Sequence, residues 1–261
     1  MKSRIGLANT SQVANMTYNR QFFEIRQQGS ARSASRVVPE LLRLLSPRSV
    51  ADVGCGVGAW LAEFQRHGIS DLLGVDGNWL DRQVLQIDPK QFVVRDLLEP
   101  LAIHRTFDLA MCLEVAEHLP DSRAEQLVGE LVGLAPVVLF SAAVPFQGGE
   151  GHVNEQWPDY WARIFAKFAY FAVDCLRSRI WNDEEIEWWY RQNLILYAAR
   201  AAIDSNDRLR PMASDSPDVL RLIHPDLYVR KIMLHSGIGV TFPLRLLSRV
   251  ARATLRSKLG L

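Results

Sequence analysis

The feature that most constrains this chain is the run Asp52-Val53-Gly54-Cys55-Gly56-Val57-Gly58, three glycines at alternate positions after the apolar segment Ser49–Val53. Glycine at that density breaks a strand, but it permits positive φ and lets backbone approach a ligand closely. The stretch that follows, Ala59 to His67, reads as a helix. A glycine turn between strand and helix aims backbone N–H groups at whatever lies before the helix N-terminus. The chain is therefore expected to open its core on a strand–turn–helix unit that binds a small molecule.

The rest of the sequence repeats that unit. A helical pattern over Ser30 to Leu45 precedes it, with Val37, Val38, Leu41, Leu42, Leu44 and Leu45 crowding one side, and Ser46-Pro47 ends it. Further strands are expected at Asp71–Val75, Gln91–Arg95, Phe107–Leu113 and Pro136–Val144, with a helix from Ser122 to Gly133. Later helices are expected at Asp159–Phe168 and Asp183–Arg191, and later strands at Tyr170–Leu176 and Asn193–Ala199. Near-continuous apolar strands alternating with helices predict an α/β fold, a mostly parallel sheet covered on both faces. Ser205 to Pro217 reads as a surface loop.

Composition narrows the class of partner. A chain of 261 residues, 48% hydrophobic, is long enough for one α/β domain with extensions. A net charge of +1 gives no global drive toward nucleic acid. Cys55, Cys112 and Cys175 are odd in number and form no CxxC pair, which argues against a disulfide framework or a structural zinc site. Met1 to Asn15 lacks an apolar signal-peptide core, and Leu134 to Phe146 is too short to span a bilayer. A cytoplasmic protein is the expectation. From Leu244 to Lys258 the tail carries Arg245, Arg249, Arg252, Arg256 and Lys258 without an acid. Three readings of it stay open: peripheral contact with an anionic membrane, a homodimer contact, or a solvated face.

Gly54-x-Gly56-x-x-Ala59 satisfies the dinucleotide fingerprint, so a dehydrogenase is one reading. Three acids at successive strand ends favour another ligand. Asp52 lies inside the first strand, placed to hold a cationic amino group. Asp76 ends the second, where a carboxylate accepts two ribose hydroxyls. Asp96 closes the third, in reach of an adenine amino group. Strand-end aspartates also cap helices and start turns, so each alone has a structural reading. With the glycine loop they point to S-adenosylmethionine (SAM).

Three segments carry a family resemblance: Val53-Gly54-Cys55-Gly56-Val57-Gly58, Gly74-Val75-Asp76-Gly77, and Phe107-Asp108-Leu109-Ala110-Met111-Cys112-Leu113-Glu114-Val115-Ala116-Glu117-His118-Leu119. Over roughly residues 30–200 the chain resembles the class I SAM-dependent methyltransferases. The resemblance implies a Rossmann-like, seven-stranded sheet with an antiparallel last strand and SAM over the ends of strands one to four. It places Asp76 on the ribose, Gly77 and Asn78 beside the adenine, Asp96 and Leu97 around the base, and Glu114 near the methionine end. It also divides the chain into an N-terminal extension (1–29), a methyltransferase domain (30–200) and a C-terminal extension with the basic tail (201–261).

The acceptor side rests on Phe140 to Trp157, a buried strand turning into a glycine-rich loop with many polar groups. This stretch looks like bacterial methyltransferases associated with polysaccharide or glycoside modification, which implies a sugar, glycan or glycosylated small molecule as acceptor. Phenols, an RNA 2′-hydroxyl and a catalytically silent SAM-binding role are the alternatives. Trp157, Trp161, Trp181, Trp188 and Trp189 read first as core packing, with Trp157 the best placed for substrate. An alcohol needs a base or a Lewis acid beside it. If a helical turn begins at Glu114, then Glu117 and His118 share its face, and His152 closes the site from the following loop. Glu114, Glu117, His118 and His152 then form a candidate site for Mg²⁺, Mn²⁺ or Fe²⁺, with Glu117, His118 and His152 as the catalytic candidates. The set resembles that of plant small-RNA 2′-O-methyltransferases. Metal-free members of the class also carry Glu-His-Leu here, and in them His152 alone would act as base.

Overall fold

The computed structural model describes residues 28–79, 82–214 and 220–235. The chain divides into two units, Met1–Leu222 and Ile223–Leu261. In the first, helix α1 covers residues 28–44 and buries Val37, Val38, Leu41 and Leu44, the stripe its sequence predicts. Then come β1 (Ser49–Val53), α2 (Ala59–Arg66), β2 (Asp71–Asp76), β3 (Phe92–Val94), β4 (Leu109–Leu113), α3 (Asp121–Leu134) and β5 (Val137–Ser141). They are followed by α4 (Pro158–Lys167), β6 (Tyr170–Val173), α5 (Arg177–Ile180), α6 (Trp188–Asn193), β7 (Ile195–Ala199), α7 (Arg200–Asp204) and β8 (Ala213–Ser214). The described part of the second unit contains one helix, α8 (Pro225–His235).

The strands form one sheet in the order β3-β2-β1-β4-β5-β7-β6-β8. Strands β1 to β5 pair in parallel, whereas β7 runs antiparallel to both β5 and β6. Alternate strand residues feed two apolar cores, one on each face. Val50, Leu109, Met111, Val137 and Leu139 join α1 and α2 in one core. Ala51, Ala110, Cys112, Val138 and Phe140 join α3 and α4 in the other. Helices on both faces explain why the strands read as unbroken apolar runs. The order reverses between β1 and β4, and ligands bind parallel α/β sheets in the crevice beyond such a reversal.

Three departures from the sequence reading have local causes. The strand expected through Leu176 stops at Val173, because Arg177 is buried and grips Asp174 through Nε and Nη2 at 2.9 and 2.6 Å. The helix expected from Asp183 starts only at Trp188. Asp183 Oδ1 accepts the Glu185 N–H at 3.1 Å, and the Glu187 N–H goes to Ser33 Oγ at 3.0 Å, so these amides serve turns. The sheet also runs past residue 200, since β8 adds a two-residue eighth strand beside β6 to the seven expected. Residues 1–27 and the basic tail lie outside the described residues. Among the described residues no helix is long and apolar enough to cross a membrane.

Candidate active site

The crevice begins at the glycine turn. Gly54, Gly56 and Gly58 have φ of 79°, 53° and 80°, in the left-handed region that only glycine enters without strain. A Cβ on Gly54 would lie 2.3 Å from Val115 Cγ2, so glycine there lets the ends of β1 and β4 touch. A Cβ on Gly56 would meet nothing within 4 Å, so this residue borders open space. Asp76, at the end of β2, accepts from the Gly56 N–H at 2.6 Å and from the Gly77 N–H at 2.7 Å. Burial pushes its pKa up, against the pull of these two amides and the Trp79 indole. Asp52 is buried inside β1, and burial with the neighbouring Asp76 charge pushes its pKa up to about 8. Two desolvated carboxylates beside an open glycine turn suit a ligand bearing hydroxyls and positive charge, as SAM does.

The other wall is the end of β4. Glu114 has φ of 55°, an unusual conformation for a side-chain-bearing residue. Its carboxylate accepts from Gln147 Nε2 at 2.9 Å and Asn193 Nδ2 at 3.0 Å, and its own N–H donates to Ser141 Oγ at 3.1 Å. A single turn, Ala116–His118, follows. There one ligand-capable atom each from Glu117, His118 and His152 lies within 4.8 Å of the others. Glu117 is buried, and neither carboxylate oxygen has a hydrogen-bond partner of ordinary geometry. Burial and the nearby Glu114 charge push its pKa well up. The His118 and His152 rings meet edge to face, with centroids 4.9 Å apart. Glu155 Oε1 holds His152 Nδ1 at 2.9 Å and also accepts the Gly148 N–H at 2.6 Å.

The sequence-predicted residues thus fall into two groups and some outliers. Asp52, Gly54, Gly56, Gly58, Asp76 and Gly77 line one side of the crevice, and Glu117, His118 and His152 gather on the other. Glu114 does not join the three-residue cluster. Its left-handed φ prevents the helical turn that would have put it on the face of Glu117 and His118, and two amides occupy its oxygens. Asp96 is exposed and uses Oδ1 to accept the Leu98 N–H at 3.0 Å, which is the turn-forming role of a strand-end aspartate. Leu97 packs on the core, with its carbonyl bound by Arg123 Nε at 3.0 Å, and Asn78 is exposed. Trp161 is core against Phe140, whereas Trp157 is half-buried at the start of α4.

Four residues of the site went unassigned in the sequence. Trp79 hydrogen-bonds Asp76 and lies against Gly77, where a Cβ would come within 2.5 Å of its ring. Gln147 and Asn193 hold Glu114, and Glu155 holds His152. Glu155 had a signal in its i+3 spacing from a candidate histidine. Asn193, at the end of α6 before β7, had none.

This fold and this crevice define a class, and comparison with known proteins agrees. Residues 22–171, more than half of the chain, match the family described as "Methyltransferase domain", and the chain belongs to it. It is thus a methyltransferase by family. A probable tocopherol O-methyltransferase of rice chloroplasts (Oryza sativa subsp. japonica) is 39% identical over 97 residues, 34% of this chain and 26% of the rice protein. The match therefore spans about a quarter of that relative's length. The sugar N-methyltransferase KedS8 from Streptoalloteichus superposes with a TM-score of 0.54 at 15% identity, covering 77% of this chain and 97% of that one. An O-methyltransferase family protein from Burkholderia thailandensis gives 0.48 at 14% identity, over 64% and 56%.

Proposed function

We propose that the chain transfers the methyl group of SAM to a hydroxyl of a sugar, glycan or glycosylated small molecule, assisted by a divalent cation. The observation that carries the hydroxyl-activating part is Glu117, a buried carboxylate held only loosely by the backbone amides of Glu117 and Ala143, beside two imidazoles. Burying an unpaired carboxylate is costly, and such groups are retained where something is to be bound. One carboxylate and two imidazoles, without a thiol, fit Mn²⁺ or Fe²⁺ better than Mg²⁺, which takes mostly oxygen ligands. The sugar class of acceptor rests on the resemblance of the loop after β5. A phenolic hydroxyl is the second reading, favoured by the similarity to the rice enzyme.

In this reading Asp76, Gly56 and Gly77 hold the ribose side of SAM, Asp52 balances its positive charge, and Glu114 stands toward the methionine end. SAM supplies an electrophilic methyl group on a sulfonium. Transfer forms the carbon–oxygen bond as the sulfur–carbon bond breaks, and the hydroxyl proton must leave. A cation at Glu117, His118 and His152 would supply Lewis acidity that lowers the hydroxyl pKa. Glu155 takes the Nδ1–H of His152, which leaves Nε2 with the lone pair, either as a ligand or, in a metal-free site, as the base that receives the proton.

The test is methyl transfer from labelled SAM to a panel of glycosides and phenols, before and after exhaustive chelation. Activity lost on chelation, restored by Mn²⁺ or Mg²⁺ and absent in His152→Ala supports the site. Full activity after chelation removes the cation, and turnover confined to phenols replaces the sugar.

A further inference from the structure

The loop that carries His152 also carries the two most exposed large apolar side chains among the described residues, Phe146 at 77% and Val153 at 67%. Scattered exposed apolar residues are common and need no explanation. Phe146 differs because its backbone is strained. The Gln147 N–H donates to the Val144 carbonyl at 2.9 Å, closing the turn Val144-Pro145-Phe146-Gln147. Proline fixes the second position, and Phe146 in the third has φ of 67°. That combination is a type II turn, whose third position favours glycine. An aromatic ring there gives up conformational stability without gaining burial.

Both residues are also fastened to the catalytic groups through their neighbours. Gln147, next to Phe146, binds the Glu114 carboxylate at 2.9 Å. Val153, next to His152, donates its N–H to the Glu117 carbonyl at 2.8 Å. The loop therefore holds an exposed ring and an exposed branched side chain on two segments that end in the active site. Strain retained at such a place points to a use in binding.

We infer that Phe146, in the same loop as Val153, is the acceptor platform: it takes the apolar face of a six-membered ring whose hydroxyl is methylated. The inference rests on the proposed hydroxyl acceptor and deepens it. The C–H face of a pyranose and the face of a phenol share this chemistry, and both pack on an aromatic ring.

Phenyl β-glucopyranoside carries both faces and serves as the probe. Saturation-transfer NMR of the full chain with S-adenosylhomocysteine should show probe contacts that Phe146→Ala weakens roughly 3- to 10-fold. Enrichment on pyranose C–H protons identifies a sugar face, and enrichment on phenyl protons an aromatic one. Phe146→Gly should lose the same contacts while its melting temperature rises, by about 2–4 °C, because glycine relieves the turn. Phe146→Tyr should retain them. No saturation in the wild type, or contacts unchanged in both variants, overturns the platform. Platform contacts without transfer to any hydroxyl would overturn the proposed chemistry instead and leave the platform standing.

Discussion

The two walls of the crevice are built on opposite principles. On the β1–β2 side, backbone amides of the glycine turn satisfy Asp76, and every positive φ of that turn belongs to glycine. On the β4–β5 side, neither Glu117 oxygen nor Asn154 Nδ2 nor Asn193 Oδ1 has a hydrogen bond of ordinary geometry, and Glu114 and Phe146 carry side chains at positive φ. The first wall is relaxed before any ligand arrives. The second holds polar groups without good hydrogen bonds and two side chains at positive φ. If the proposed function holds, the pocket for the cofactor is preformed from backbone, and the groups beside the hydroxyl stay available to it.

The largest effect should come from the strained wall. Glu117→Gln should lower methyl transfer roughly 10²- to 10⁴-fold, the range for loss of acid–base or equivalent activation. Its melting temperature should not fall, because burial and the Glu114 charge already favour the neutral form of the Glu117 side chain, which glutamine copies in size and charge. Steady-state kinetics beside thermal melts would decide. A destabilised variant that keeps its activity would make Glu117 a structural residue and erase the contrast between the walls.

The relaxed wall should respond differently. Each hydrogen bond that Asp76 accepts from a ribose hydroxyl is worth roughly 1.5–3 kcal/mol in a partly desolvated cleft. Asp76→Ala should therefore weaken SAM at least about tenfold in calorimetric titration, with the acceptor platform unaffected. Unchanged affinity would remove Asp76 from the cofactor pocket.

The same contrast governs what could be read from the sequence. Backbone-built features leave local signatures, and so the glycine turn, Asp76 and strand β1, Ser49–Val53, were legible at their observed positions. The alternation of strands and helices sufficed for the sheet. What failed depended on contacts between distant segments. The i, i+3, i+4 argument for Glu114, Glu117 and His118 assumed a helical φ at Glu114. The N–H of Glu114 is instead tied to Ser141, 27 positions on, in a left-handed conformation. Asn193 reaches Glu114 across 79 positions, and nothing near either residue encodes that pairing. Asp96 was read as an adenine ligand, and in the structure its Oδ1 accepts the Leu98 N–H, the turn-forming role that a strand-end acid can also play.

The smallest effect is a pH slope. Asp52 has a pKa of about 8 in the folded chain, raised first by burial and then by Asp76, against about 3.9 for a solvated aspartate. The folded state therefore binds a proton that the unfolded state releases above pH 4. Any stability linked to that proton is fully present below the unfolded pKa and is lost as pH rises through about 8. Asp76, Glu114 and Glu117 are shifted in the same direction and add slopes of the same sign. The buried thiols of Cys55 and Cys112 are pushed well up and stay neutral throughout. The melting temperature of the full chain should thus fall between about pH 5 and pH 8.5, and Asp52→Asn, which cannot titrate, should fall less. Saturating SAM should also shrink the wild-type fall, since a cationic group beside Asp52 favours the ionised carboxylate and lowers its pKa. Parallel melting curves for the two proteins across that range would place Asp52 in a solvated setting and take it out of the cofactor wall.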